Sequence, residues 1–135
     1  MKNELSLVNA SLNNTYCSIL ADDEKNKKIM INALNGCDVL LNDIVGETIV
    51  IENVFIQERE TIDEKTGEVK NKYRTILIDK NGKTYATSAY GVYNSLMNVF
   101  ALYGTPETWK EPKTFEVKKI KNNKNGFESL KLILK

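Results

Sequence analysis

The sequence contains no histidine at all. Its absence excludes the Ser-His-Asp and Cys-His nucleophile arrangements, histidine-ligated zinc, and the side chain that most often shuttles protons near neutral pH. Long apolar runs are missing as well, and none approaches the roughly 20 apolar residues that a membrane-spanning helix needs. From these absences we expect a protein that is not an enzyme and does not enter a membrane.

Cysteine is scarce too, because Cys17 and Cys37 are the only two and lie far apart. A disulfide framework needs more cysteines, and a thiolate metal site needs closely spaced pairs. The first residues lack the basic start, apolar core and small-residue cleavage site of a signal peptide. We therefore expect two reduced structural thiols, no metal, no cofactor and a cytoplasmic location.

Charge is nearly balanced overall, with a formal net charge of +1, but it is sorted along the chain. Residues 1–64 include 5 basic and 12 acidic residues, whereas residues 65–135 include 14 basic and 6 acidic residues. A basic half favours a polyanionic partner, with the acidic half limiting indiscriminate adhesion. The alternative is an ordinary solvated surface, and charge alone does not decide between the two.

The pattern of the sequence divides the chain into two parts. Residues 1–43 are predicted to be an N-terminal extension with one helix. Residues 44–135 are predicted to form a β-barrel domain, and the helix is expected to pack on or beside this barrel. The helix is expected over residues 22–35, since Asp22 suits the N-cap, an apolar stripe follows and Gly36 is a natural stop.

From residue 44 the apolar period changes from helical to two, which indicates β-strands. Five segments are predicted as strands: residues 48–58, 72–79, 83–88, 113–121 and 127–134. The polar residues 60–71 indicate a hairpin connection, and the Asn-Gly pairs at 81–82 and 125–126 indicate tight turns. Residues 88–103 return to a helical period, with Ser88 as the cap and Gly104 as the stop.

The predicted order is three meandering strands, one helix and a two-strand hairpin. This is the element order of the OB-fold, a Greek-key barrel whose helix falls between strands three and four. We therefore predict a mainly β protein with α-helices: a five-stranded OB-fold-like barrel with a helix between strands 3 and 4 and an extra N-terminal helix. A split α+β sheet is the alternative.

Residues 90–109 (YGVYNSLMNVFALYGTPETW), followed by a basic alternating strand pair, resemble the single-stranded DNA-binding proteins of small tailed phages, mainly those of Gram-positive hosts. The matching features are the YGVYNSL helix start, the GTPETW helix exit and the closing hairpin, and the resemblance covers residues 44–134. It implies an OB-type barrel that coats exposed strands during phage DNA replication or recombination.

Binding of single strands needs a basic groove for the phosphates and exposed aromatic rings on which bases stack. In an OB-fold the ligand lies across strands two and three, next to the loops that join strands one to two and four to five. The basic and aromatic residues on these elements are the candidate nucleic-acid-binding residues: Lys72, Tyr73, Arg74, Lys83, Tyr85, Lys118, Lys119, Lys121, Lys124, Phe127 and Lys131.

Each aromatic candidate also has a purely structural interpretation. Tyr73 shares a strand face with Leu77, and Arg74 lies on the opposite face, so either face could be the core side. For Tyr85 and Phe127 the structural alternative is likewise a position in the barrel core. The aromatic residues of the 88–103 helix and of the loop after it are expected to pack rather than to bind: Tyr90, Tyr93, Phe100, Tyr103 and Trp109.

The leading hypothesis is a sequence-nonspecific single-stranded DNA-binding protein without catalytic or metal-ligating residues. Its expected partners are single-stranded DNA and replication proteins, and the sequence is compatible with an oligomer. The alternative is a small barrel that binds another protein, a replication or host partner, through the acidic half. A nuclease or other enzyme is least favoured, because no paired acidic site or phosphate-cradling loop is found.

Overall fold

The computed structural model describes residues 15–19, 22–121, 124 and 126–135. Short 3₁₀ turns lie at Leu41–Ile44 and Pro106–Thr108. The helices and strands of the described chain follow in order: β1 (Thr15–Cys17), α1 (Glu24–Asn35), β2 (Val39–Leu40), β3 (Thr48–Ile62), β4 (Val69–Asp79), β5 (Thr84–Thr87), α2 (Tyr90–Tyr103), β6 (Lys113–Lys121) and β7 (Glu128–Leu134).

The strands form one mixed, curled sheet in the order β2-β5-β4-β3-β6-β7, with β1 added to β3. Only β2 and β5 pair in parallel; the other pairs are antiparallel. The two ends of this path, β2 and β7, are not hydrogen-bonded to each other in the described part of the chain. The sheet is therefore a half-barrel, and two helices accompany it.

A register shift in β3 determines which of its side chains face the inside of the curl. The pairing with β4 jumps between Ile51 and Asn53, so Glu52 is passed over as a bulge. As a result Ile49 and Ile51 before the bulge and Val54 after it all point into the same core. The bulge lets one long strand pair with β6 at its start and with β1 further along.

The concave face of the sheet holds the larger core. Leu77 and Tyr85 from the meander meet Phe115 and Val117 from β6, and Val92 and Leu96 of α2 cover them. Burial of such aliphatic and aromatic side chains stabilises the fold by about 1.5–3 kcal/mol each relative to exposure. Helix α2 is thus held inside the curl, across the gap between β4 and β7.

The convex face holds a second, smaller core against α1. Met30 and Ala33 of the helix pack on Phe55, Ile76 and other apolar side chains of the sheet. The last turn of α1 contains no basic residue, although its free carbonyl groups favour a cation there. The sheet supplies one, because the Arg74 guanidinium donates hydrogen bonds to the carbonyl oxygens of Ala33 at 3.2 Å and Leu34 at 3.5 Å.

The hairpin between β3 and β4 extends well beyond the rest of the sheet. Strand β1 covers β3 as far as Gln57, and β5 covers β4 from Thr75 onward. Beyond these points five residue pairs, from Glu58–Tyr73 to Ile62–Val69, continue as a two-stranded ribbon of about 16 Å. We call residues 58–73 the arm. The sequence predicted a polar loop over residues 60–71, and the strands in fact continue to residue 62 and from residue 69.

Several other predicted boundaries are corrected by the structure. Seven strands are described where five were predicted; the two additional ones, β1 and β2, are only three and two residues long. Asp23 rather than Asp22 caps α1, accepting a hydrogen bond from the backbone of Asn26 at 2.7 Å. Helix α2 begins at Tyr90 without a side-chain cap, so Ser88 does not serve as one.

The division at residue 43 stays a prediction. Residues 1–14, residues 20–21 and Asn125 of the predicted turn lie outside the described residues. Within the described part, no helix is long and apolar enough to cross a membrane. The same part contains no group of three or more His, Cys, Asp or Glu side chains that could hold a metal ion.

The stability of the protein should fall between about pH 9 and pH 11 because of Cys17. Burial raises the pKa of this thiol from 9.0 to about 11. As the pH rises through this window, the unfolded state loses its thiol proton first, so unfolding becomes easier. Urea unfolding at several pH values measures the effect. The decline should be smaller in Cys17→Ala and unchanged in Cys37→Ala, and equal slopes in all three proteins would contradict the assignment.

Candidate nucleic-acid interface

An open groove of about 550 Å³ lies between α2 and the concave face of the sheet, where the arm leaves the core. Its walls come from β1, β3, β4, α2 and the start of the following loop. Aromatic side chains dominate the lining: Tyr16, Tyr73, Tyr93 and Phe100, together with Ile56, Glu58, Met97 and Thr105. Such a concentration of rings in an open groove is typical of sites that bind flat, aromatic ligands.

Three tyrosines form a continuous row along this groove. The rings of Tyr73 and Tyr93 are stacked, with centroids 3.9 Å apart and planes only 4° from parallel. Tyr90 is tilted against Tyr93 at 5.8 Å, and 67% of its surface is exposed. We call Tyr90, Tyr93 and Tyr73 the tyrosine row. Burial and the neighbouring Tyr73 hydroxyl raise the pKa of Tyr93, so its phenol is neutral at physiological pH.

The tyrosine row connects the two long hairpins of the molecule. At one end Tyr73 lies at the base of the arm, paired with Glu58. At the other end α2 approaches β7 so closely that a Cβ atom on Gly91 would overlap the carbonyl oxygen of Leu130. The Ser95 hydroxyl also accepts a hydrogen bond from the Leu132 amide at 3.4 Å. These contacts place the start of α2, and with it Tyr90, next to β7 of the β6–β7 hairpin.

The opposite end of the groove is closed by β1. The Tyr16 hydroxyl donates a hydrogen bond to Glu107 at 2.5 Å, and its ring is tilted against Phe100 at 5.8 Å. Burial and the Glu107 carboxylate both raise the pKa of Tyr16. Burial raises the pKa of Glu107, but hydrogen bonds from Tyr16, from its own backbone amide and from Thr105 together outweigh burial, so the pKa is lowered. Trp109 packs behind Phe100 and donates to the Gly104 carbonyl oxygen at 2.8 Å.

The lysines of the β6–β7 hairpin divide between its two faces. Lys119 and Lys121 follow Val117 with a period of two and continue the concave face beyond the core. Lys118 lies on the other face, directly opposite Lys131. Lys118, Lys119 and Lys121 are all exposed. The pair on the concave face is therefore on the side where α2 and the tyrosine row lie.

The other predicted site residues are scattered rather than brought together. Tyr85 is only 8% exposed and belongs to the concave core, which was its structural alternative, so its ring offers no free face. Arg74 is engaged with α1 on the convex face. Lys72 is exposed on the convex face of the arm. The Lys83 ammonium nitrogen lies 5.8 Å from the centroid of the Tyr85 ring. At the hairpin end Lys124 and Phe127 are also exposed.

The sequence reasoning missed three aromatic residues of the site: Tyr16 and Tyr93, which line the groove, and Tyr90, which contacts Tyr93. Tyr90 and Tyr93 were assigned to packing, since apolar residues at helical spacing are usually core. Tyr16 lies in a stretch whose structure was left open. The available signal was the spacing of Tyr93, Met97 and Phe100, which places all three on one helix face toward the groove. Tyr103 is exposed as well, with the Lys113 ammonium 4.1 Å from its ring centroid.

Comparison with known proteins shows which family the chain belongs to. The family model described as "Phage Single-stranded DNA-binding protein" matches residues 9–135. The chain belongs to this family. The resemblance predicted from residues 90–109 is thereby confirmed, and the match also extends beyond residues 44–134 to include β1 and α1.

A single-stranded DNA-binding protein of Bacillus phage GA-1 is 32% identical to this member of the phage family over 117 residues. The aligned region covers 84% of this chain and 68% of that protein. No solved structure matches the chain.

Proposed function

We propose that the protein binds single-stranded DNA without sequence preference, with bases stacked on the tyrosine row and phosphates held by lysines of the β6–β7 hairpin. The observation that carries this proposal is the stacked pair Tyr73–Tyr93 beside the exposed Tyr90 in an open groove. Stacking on aromatic rings contributes about 1–3 kcal/mol per base and tolerates any base, because every base has a π-face.

The groove favours single strands over duplexes for a physical reason. Bases in a duplex are stacked and paired, so their faces are not accessible to protein rings, whereas a single strand can turn its bases outward. Glu58 and Glu107 lie at the groove, where their carboxylates would repel phosphates. Phosphates are expected at Lys119 and Lys121 instead, on the concave side of the hairpin.

The finer features of the fold and of the cellular role belong to the same proposal. The five longer strands, with α2 between β5 and β6, follow the order of an OB-type barrel, here left open between β2 and β7. Residues 44–135 would form this barrel, with residues 1–43 added to it. We propose that the protein coats exposed strands in phage DNA replication or recombination, without enzymatic activity, and meets replication proteins there.

Binding of a labelled oligo-dT, followed by fluorescence anisotropy with an unlabelled duplex as competitor, tests the proposal. We expect tight binding that the duplex does not compete away and that weakens as salt rises, because phosphate contacts release counterions. No binding at low salt, or equal competition by duplex, would contradict single-strand binding and favour a protein-interaction module.

The double change Lys119→Gln/Lys121→Gln tests the phosphate assignment. Loss of two phosphate contacts should make the slope of log affinity against log salt shallower by about 1.4. The matched control is Lys27→Gln/Lys28→Gln, which removes two exposed charges from α1 on the convex side. An equal change of slope in both variants would show a general charge effect and not a phosphate track.

A further inference from the structure

The arm has two faces of opposite character. Alternation along its strands places Glu58, Glu60 and Ile62 on one face, with Val69 and Tyr73 opposite them on β4. The other face presents basic residues: Arg59, Lys70 and Lys72. One side of the arm is therefore acidic and apolar, and the other side is basic.

The apolar part of the first face is unusually exposed. Ile62 and Val69 are direct cross-strand partners at the end of the arm, with 69% and 60% of their surfaces in solvent. The turn that joins this pair holds three acidic residues, Asp63, Glu64 and Glu68, and one basic residue, Lys65, so its net charge is negative. A two-stranded ribbon has little stability by itself, and an exposed apolar pair at its end contributes nothing to folding. Together with Glu60, these residues form what we call the acidic tip.

A surface of complementary chemistry lies on the outer face of the β6–β7 hairpin. Lys118 and Lys131 are direct cross-strand partners there, and Ile120 lies on the same face and is 40% exposed. Two like charges placed directly opposite each other destabilise a strand pair, so a negative partner on this face would be favourable. The surface thus combines positive charge and an exposed isoleucine, whereas the acidic tip combines negative charge with two exposed aliphatic side chains.

The two surfaces lie at opposite ends of the tyrosine row. Tyr73 lies at the base of the arm, and Tyr90 precedes Gly91, which lies against Leu130 of β7. A strand that follows the row in one copy would reach a second copy placed end to end with the first. In that arrangement the arm of one copy meets the hairpin of the next. A head-to-tail contact joins two different surfaces and leaves one of each free, so copies aligned along a strand can repeat it for any length.

We infer that the acidic tip docks on the outer face of the β6–β7 hairpin of a second copy of this chain, and that this contact makes binding to long single strands cooperative. The inference rests on the proposed function, since the DNA strand brings the copies into line. The acidic tip then provides the protein contact, while the tyrosine row and the concave lysines provide the DNA contact. The two contributions can be separated by experiment.

The test compares two oligo-dT probes: a short one that holds a single copy, as determined by stoichiometric titration, and a long one that holds several. Each affinity is divided by the number of overlapping sites that the probe offers, and the resulting long-to-short affinity ratio should be about tenfold or more in the unchanged protein. Ile62→Thr/Val69→Thr should bring this ratio close to one while the affinity for the short probe stays the same. Threonine keeps the strand propensity, so the arm is preserved.

Two further variants distinguish protein contact from DNA contact at the hairpin. Glu60→Lys and Lys118→Glu should each lower the ratio, and the two changes combined in one chain should restore it, because each contact again joins opposite charges. Ile31→Thr is the matched control, since Ile31 is similarly exposed, at 56%, but lies on α1. It should leave the ratio unchanged.

Two outcomes would overturn the inference. One is a ratio near one in the unchanged protein. The other is an affinity ratio that stays unchanged in Ile62→Thr/Val69→Thr. In that case Lys118→Glu would still lower the ratio, and adding Glu60→Lys would not restore it, if the outer face of the hairpin contacts DNA. Failure to bind either probe would instead overturn the proposed function itself, and the short probe alone reveals this.

Discussion

Tyr93→Leu should lower the affinity for single-stranded DNA by about tenfold to a hundredfold. The Tyr93 ring occupies the centre of the tyrosine row, stacked on Tyr73 and in contact with Tyr90. Its removal takes away one stacking surface worth about 1–3 kcal/mol and leaves the Tyr73 ring without its support. Anisotropy with oligo-dT at a fixed salt concentration measures the loss, and a thermal melt verifies that the variant is folded.

Two variants serve as controls for this result. Tyr93→Phe keeps the ring and should retain most of the affinity. Tyr103→Leu removes an exposed tyrosine from the same helix, but one that lies beside Lys113 and not in the groove. Equal losses in Tyr93→Leu and Tyr103→Leu would mean that the row has no special role, and full affinity in Tyr93→Leu would remove it from the site.

Gly91→Ala should destabilise the protein by about 2 kcal/mol. The new Cβ would overlap the Leu130 carbonyl oxygen, which is backbone and cannot turn away, so α2 must move off β7. Forcing extra volume into such a contact costs about 3 kcal/mol, and the better helix propensity of alanine offsets about 1 kcal/mol of it. Urea unfolding measures this loss in the free energy of unfolding. A thermal melt should show a melting temperature lower by about 6–10 °C.

Gly36→Ala is the matched control, because it makes the same chemical change at the end of the other helix. Nothing lies within 4 Å of a Cβ at that position, and its backbone is extended. We expect its stability to stay within about 0.5 kcal/mol of the unchanged protein. Gly91→Ala should also weaken DNA binding, because it moves Tyr90 away from the hairpin. A stable Gly91→Ala protein would show that the helix and the strand adjust without cost.

Both helices and the five longer strands could be predicted because their signals are local. Alternating apolar residues indicate a strand, and an Asn-Gly pair indicates a tight turn between two strands. The alternation predicted β6 with its observed bounds. Strands β1 and β2 could not be predicted, since two or three residues carry no period and depend on β3 and β5 for pairing. The arm was missed for a related reason: its residues are polar, and only their cross-strand pairing reveals the ribbon.

The site was harder to predict because burial depends on where the core ends. Tyr73 and Tyr85 lie on the same concave face, yet only Tyr85 is covered on all sides. The alternation of apolar and polar residues shows which face of a strand is buried, but it does not show where along the strand the core ends. For Tyr93 the error was the opposite one: its helical spacing predicted a side chain packed in the core. The close contact of Gly91 with β7 instead fixes α2 so that Tyr93 lines a groove.

The hydrogen bonds from Arg74 to the end of α1 have a consequence for synthesis of the chain. Helix α1 has twelve residues, and isolated helices of this length are marginal in water. Its C-terminal carbonyls receive their cation from a residue 41 positions after Ala33. Its apolar face also needs Ile76, which emerges from the ribosome later still. The helix is encoded early but can become stable only after β4 has been translated, so the nascent chain carries it unsupported for several seconds at bacterial elongation rates.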